Sequence, residues 1–233
     1  MTSLVGYEMK DSVATIGLND GKVNVLGPAM QTAINEALDR AEKDSAKAVV
    51  LAGNERVFSG GFDLTVFQSG DAQAAHGMLA GGFELAVRCL TFPAPVVMAA
   101  TGPAIAMGSF LLLSGDHRVG QPNTRCQAIE VAIGMTIPNA ALEIMRFRLT
   151  PAVFHRGAAL ASMFTGDEAI NGGWLDEIVE ADRVLVRAQE AATEFAATLH
   201  AGAHVATKLK ARESALGAIR AGIDGLATEF NLG

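Results

Sequence analysis

The chain has 233 residues, half of them hydrophobic and 18% charged, with a formal net charge of −7 at pH 7. That is room for one large domain or two small ones, and so little polar surface predicts that other subunits cover part of the apolar exterior. The acidic balance, without any cluster of Lys and Arg, excludes nucleic acid as a partner.

Met1 to Lys10 has no basic segment followed by an apolar core, so no export signal is expected. Tyr7–Lys10 and Val13–Leu18 alternate in polarity around Asp11-Ser12, which predicts a β-hairpin, closed by Asn19-Asp20-Gly21. Lys22-Val23-Asn24-Val25-Leu26 then runs to Gly27-Pro28. A proline at the first helical position suits a helix through Met30, Ile34, Leu38 and Ala41. Ala48–Ala52, ended by Gly53, reads as a parallel strand, and the order strand, helix, strand points to an α/β crossover.

Between Arg56 and Leu64, Gly60-Gly61 follows Phe58-Ser59 and precedes Phe62-Asp63. The glycines allow a ligand close to the main chain and Asp63 is placed to cap the next segment, although a plain turn fits equally. Ala72–Leu90 predicts a helix with Met78, Leu79, Phe83 and Val87 on its apolar side, stopped by Phe92-Pro93-Ala94-Pro95. Val96–Ala100 reads as a buried strand that breaks at Gly102-Pro103. Small residues from Pro103 to Ser109 lead from it into an apolar helix, Phe110–Leu113. A helix start reached this way offers its first N–H groups to an oxygen that becomes an anion, or is an ordinary strand-to-helix connection.

Asp116–Gly120 predicts another strand and Gln121-Pro122-Asn123 a turn. Glu130 stands in the otherwise apolar Ala128–Ile133, so its carboxylate either faces solvent or is kept for chemistry with a raised pKa. From Asn139 the pattern is helical over Ala140–Leu149, Pro151–Ala161, Glu168–Asn171, Arg183–Leu199 and Thr207–Phe230, with Gly172-Gly173 and Ala201-Gly202 as separators. Lys208, Lys210 and Arg212 read as a solvated basic face on the last helix. His76, His117, His155, His200 and His204 share no metal-ligand spacing. Cys89 and Cys126 are isolated, which suggests neither disulfide nor zinc and a reducing, cytoplasmic location. No apolar run reaches about 18 residues, so no membrane span is expected.

Taken in order, Lys22–Leu26, Val57–Leu64, Pro95–Asp116, Ala128–Gly134 with Ile137-Pro138, and Phe164-Thr165-Gly166 to Val179 resemble the crotonase superfamily, the enoyl-CoA hydratases and isomerases. The resemblance implies an α/β fold with a ββα spiral core over residues 1–180 and a helical C-terminal trimerisation region over 181–233. It also implies binding of an acyl-CoA thioester, whose carbonyl oxygen is held by the main-chain N–H groups of Phe62 and Met107. Glu130 then takes the place of the second of two glutamates that position and split water in hydratases, and Phe110 the place of the first. An apolar ring cannot orient water or exchange a proton. One carboxylate beside an apolar residue is similar to the Δ3,Δ2-enoyl-CoA isomerases, in which a single glutamate takes a proton from C2 and returns it to C4.

Residues implied to touch substrate are Val23, Val25, Phe58, Gly60, Gly61, Asp63, Leu64, Gly108 and Phe110. Ala106-Met107 replaces the family's usual glycine pair, which predicts a flexible Met107 side chain narrowing the acyl pocket. Asn139-Ala140-Ala141 likewise replaces a glycine-rich segment. The resemblance implies no metal or redox cofactor, with CoA entering only as part of the substrate, and a homotrimer or a dimer of trimers. Two other readings stand beside the isomerase: a hydratase in which Glu143 or Glu84 completes a water site, and a catalytically silent acyl-CoA binding protein.

Overall fold

The hairpin forms as expected: β1 (Val5–Lys10) pairs antiparallel with β2 (Val13–Leu18), Lys10 opposite Val13. Asp11 and Ser12 at the turn have φ of 47° and 64°, the left-handed pair that matches the twist of two adjoining strands. The structure, a computed structural model, describes residues 3–230; Met1-Thr2 and Asn231–Gly233, which the sequence puts at the ends of the core and of the helical region, lie outside the described residues.

The elements that follow are α1 (Pro28–Lys43), β3 (Ala48–Ala52), α2 (Leu64–Gln68), α3 (Ala72–Thr91), β4 (Val96–Ala100), β5 (Ala104–Ile105) and α4 (Met107–Leu113). Then come β6 (His117–Gly120), β7 (Cys126–Gln127), α5 (Asn139–Arg148), α6 (Pro151–Leu160), α7 (Gly166–Gly172), β8 (Glu177–Ile178), α8 (Val184–Thr198) and α9 (Ala201–Glu229). Single 3-10 turns occupy Glu130–Ile133 and Ala181–Arg183. The main sheet has the order β1-β2-β3-β4-β6-β8, parallel from β2 onward.

All five residues of β3 and of β4 are buried, because helices cover both faces of the sheet. Val49, Leu51 and Met98 face one way, onto Ile34, Leu38, Phe83 and Val87; Val50, Val97 and Val119 face the other way, onto Val184, Ala188 and Ala192 of α8. A second, narrower ladder leaves the main sheet: Ser59 bridges Ala104, β5 pairs with β7, and Cys126 bridges Phe164. This ladder carries the two loops that the sequence marks as a candidate site. Its two-residue strands are too short to show a period, and neither they nor α2 were expected.

Two expectations at the C-terminus are corrected. Ala201-Gly202 does not separate helices but opens α9, and the break falls at Leu199-His200, where the His200 ring accepts the Ala203 N–H at 3.3 Å. Lys208 and Arg212 do not form a solvated face: both are buried, Lys208 at 6% exposure, while Lys210 faces solvent. Asp116 receives Lys208 Nζ at 2.7 Å on one oxygen and Arg212 at 2.6 Å on the other, and also accepts the Val96 N–H at 2.8 Å. Lys208 further donates to the Phe92 and Ala94 carbonyls and Arg212 to that of Leu90, which sit where α3 ends and proline blocks further helix. The i, i+4 spacing put both cations on one face; their partners, about 90 residues earlier, decide that the face is inward. Burial alone would raise the Asp116 pKa, but the two cations outweigh it and hold the carboxyl below its usual range.

Removing one member of a buried ion group leaves the others uncompensated, so Asp116→Ala is expected to lose on the order of 3–5 kcal/mol in urea unfolding. A loss below about 1 kcal/mol would show that the network contributes nothing to holding α9.

Candidate functional site

Three segments build the site. Val23–Leu26 runs beside Gly60-Gly61, turning at Asn24 with φ 51°, with Gly60 N–H donating to the Val23 carbonyl at 2.8 Å and Leu26 N–H to the Gly61 carbonyl at 2.7 Å. Asn24 sits buried between them; its side-chain amide donates to the Phe58 carbonyl at 3.2 Å, and Ser59 Oγ donates to the Asn24 carbonyl at 2.8 Å. The third segment joins through Ile105 N–H to the Ser59 carbonyl at 3.0 Å and Ala106 N–H to the Gln127 carbonyl at 2.9 Å.

At the crossing, Gly61 has φ +98°, and a Cβ placed on it would lie 2.9 Å from the Ala106 Cβ and 3.4 Å from the Met107 nitrogen. Only glycine allows so close an approach. Ala106 itself is held at φ 50°, ψ −128°, a conformation that glycine tolerates and that costs other residues about 1–3 kcal/mol. Phe62 and Met107 are therefore the next residues on two adjacent strands of main chain, and among the described residues neither N–H has an acceptor. Met107 opens α4, where unpaired N–H groups are the rule.

A cavity of about 490 Å³ opens in front of these groups. Phe62, Phe67, Phe83 and Phe110 form its aromatic wall: Phe62 meets Phe67 and Phe83 edge-on at 6.3 and 6.1 Å, and Phe83 stacks on Phe110 at 6.3 Å. Glu130, first residue of its 3-10 turn and 7% exposed, also lines the cavity. Its Oε2 is buried without a hydrogen-bond partner among the described residues. Burial raises its pKa to about 7, against a small opposing contribution from its own backbone N–H.

The structure brings Val23, Val25, Gly60, Phe62, Asp63, Leu64, Phe110 and Glu130 together around this cavity. Four expected residues do not line it. The Phe58 ring is fully buried in the main core, facing away from the cavity. Gly61 and Gly108 lie behind the wall; a Cβ on Gly108 would come within 2.8 Å of that of Ser59, so its role is to let α4 pack. The Met107 side chain points into the core and does not narrow the pocket; Ile105 and Ala106 make that wall.

Asp63 spends one oxygen capping α2, accepting the Thr65 N–H at 3.0 Å and its hydroxyl at 2.7 Å. Of the carboxylates considered for a water site, Glu84 is exposed and Glu143 pairs with Arg146 at 3.3 Å, and neither lines the cavity. Residues the sequence did not mark include Thr136 and Phe230, side chains with no local signal. Lys22, Arg56 and Arg125 line an adjoining groove that shares Val23, Gly60 and Ile105 with the cavity.

A sequence profile of the enoyl-CoA hydratase/isomerase family matches residues 8–224. A Mycobacterium tuberculosis protein, described in one solved structure as an enoyl-CoA isomerase and in another as an enoyl-CoA hydratase, is 56% identical in the first, with a TM-score of 0.95 over 99% of this chain and 100% of that one. A Mycobacterium marinum protein described as an enoyl-CoA hydratase is also 56% identical, with a TM-score of 0.95 over 97% of this chain and 99% of that one. A Thermus thermophilus protein bearing the name enoyl-CoA hydratase is 33% identical over 144 residues, which span 59% of this chain and 56% of that protein.

Glu130 has a raised pKa in the folded chain, so between pH 4.5 and about 7 the unfolded chain releases a proton that the folded chain keeps, and stability falls as pH rises through that window. The fall is on the order of 3 kcal/mol. Glu130→Gln is expected to remove this slope and to unfold later than the unchanged chain at pH 8; equal pH profiles in calorimetry would show that Glu130 is well solvated.

Proposed function

We propose, from the premise that the chain belongs to the enoyl-CoA hydratase/isomerase family, that it converts a 3-enoyl-CoA to the conjugated 2-enoyl-CoA with Glu130 as the one proton carrier. The observation that carries the reading is a buried, unpartnered carboxylate with a pKa near 7, in a cavity whose wall includes the Phe110 ring. Ionised Glu130 takes a proton from C2, and the negative charge moves through the dienolate onto the thioester oxygen. The Phe62 and Met107 N–H groups receive that oxygen; one such donor contributes about 3 kcal/mol to lowering the barrier. Protonated Glu130 then gives the same proton to C4, so nothing is gained or lost overall.

An apolar cavity suits this shuttle: it raises the base toward neutral pH and keeps water from the dienolate. The reaction needs no cofactor beyond the CoA that the substrate carries. Lys22, Arg56 and Arg125 supply charge for the CoA phosphates, while Val23, Val25, Gly60 and Leu64 flank the passage to the cavity. The reading extends to a homotrimer or a dimer of trimers in the cytoplasm, for which sedimentation gives the mass. Hydration of a 2-enoyl-CoA is the second reading, favoured by Asp63 in the cavity lining; it requires the Asp63 oxygen that does not cap Thr65 to orient the water.

The test is a pair of assays on the purified chain, one following conjugation of 3-enoyl-CoA and the other hydration of 2-enoyl-CoA. Conjugation is expected without hydration, with kcat climbing to a plateau through about pH 7 as Glu130 ionises. Glu130→Gln should lower kcat by about a hundredfold or more. Full turnover in that variant, hydration at a comparable rate, or silence in both assays would each overturn the isomerase reading. Arg56→Ala should raise KM several-fold and leave kcat unchanged, the mark of lost uniform binding.

A further inference from the structure

The last turn of α9 reaches the cavity that the isomerase reading treats as the acyl site. Phe230, the residue that caps this helix, is among the cavity's lining residues and packs on the main core. It is not on the rim that the cavity shares with the cationic groove, which Val23, Gly60 and Ile105 form. An acyl chain entering from the groove therefore reaches Phe230 only beyond that rim.

The position of Phe230 is enforced by the turn before it. Glu229 accepts the Asn139 side-chain amide at 2.7 Å and the Asn139 backbone N–H at 3.1 Å, which caps the start of α5 with a carboxylate. Asn139 follows Pro138, which is itself in the cavity wall. Two turns further back, Gly222 lies so close to Ala140 that a Cβ would overlap the Ala140 nitrogen, so α9 crosses the α5 start with main chain nearly in contact. Leu226 and Ile223, buried between these points, complete the seam. The Glu229–Asn139 contact is solvent-exposed, unlike the ion group that anchors the helix around Lys208.

We propose that Phe230 is a specificity-determining residue for the acyl group, and that Glu229 and Asn139 are positioning residues that latch it across the inner end of the cavity. Phe230 sets how long an acyl chain fits; the latch sets how firmly that limit is kept. The inference rests on the acyl-CoA reading of the site, and needs neither the direction of the chemistry nor the identity of the base.

The experiment is calorimetric binding of butanoyl-, octanoyl- and dodecanoyl-CoA to the full chain and to Phe230→Ala, Phe230→Trp and Asn139→Ala, repeated as kcat/KM for enoyl-CoA substrates of matching length. Phe230→Ala should raise the ratio of long-chain to short-chain affinity by about tenfold, the range that an added or lost methylene or two commands in a shaped pocket. Phe230→Trp should lower it, and Asn139→Ala should shift it the same way as Phe230→Ala by a smaller factor. An unchanged ratio in Phe230→Ala with butanoyl-CoA still bound would overturn this inference alone. Failure of the unchanged chain to bind any acyl-CoA would overturn the acyl-CoA reading and this inference with it. Should Phe230→Ala fail to fold, the Phe230→Trp ratio decides, since that change keeps an aromatic ring on the seam, and a ratio equal to that of the unchanged chain overturns the proposal.

Discussion

The site depends on a main-chain crossing closer than side chains would permit. Gly61 and Ala106 lie together because one has no Cβ and the other accepts a strained φ of 50°, and the crossing sets the Phe62 and Met107 N–H groups side by side without acceptors. Ordered N–H groups cost nothing to reorganise when charge develops on an oxygen, which is why a rigid crossing serves better than mobile side chains. The buried Asn24 amide, bonded to main chain and to the Asn54 side chain, and the Ser59 hydroxyl, bonded to main chain, keep the segments in register. Neither lines the cavity, yet the geometry rests on them.

The second constraint is the dry surrounding of Glu130. Four phenylalanines make one wall, and the carboxylate keeps an oxygen that nothing in the described chain satisfies. An unsatisfied buried acceptor lowers stability, and proteins retain such groups where they act. In the proposed reaction, the stability this residue gives up and the proton it carries trace to the same missing hydrogen bond.

Much of this was legible in the sequence because the signals were local. Polarity alternation marked β1 and β2, continuous apolar runs marked β3 and β4, and Gly60-Gly61, Asp63 and the lone Glu130 marked the site. What was missed came from long-range partners. Lys208 and Arg212 looked like solvated cations until Asp116 came into contact with them, and Phe230 gave no sign of entering a cavity built from residues at the other end of the chain. The Met107 side chain is a subtler case: the sequence pointed to its main-chain N–H, but nothing local showed that the helical start sends the side chain into the core instead of the pocket.

The two attachments of α9 differ in kind. Near its middle, a buried carboxylate between two cations grips the helix; at its tip, an exposed glutamate holds an asparagine. Substitutions at the tip therefore change the cavity's inner boundary while the anchor, the Gly61 crossing and Glu130 stay as they are. If the cavity holds the acyl group as proposed, lineages carrying this architecture can drift in the compounds they accept without losing the fold or Glu130, because inherited variation in the two is physically separate.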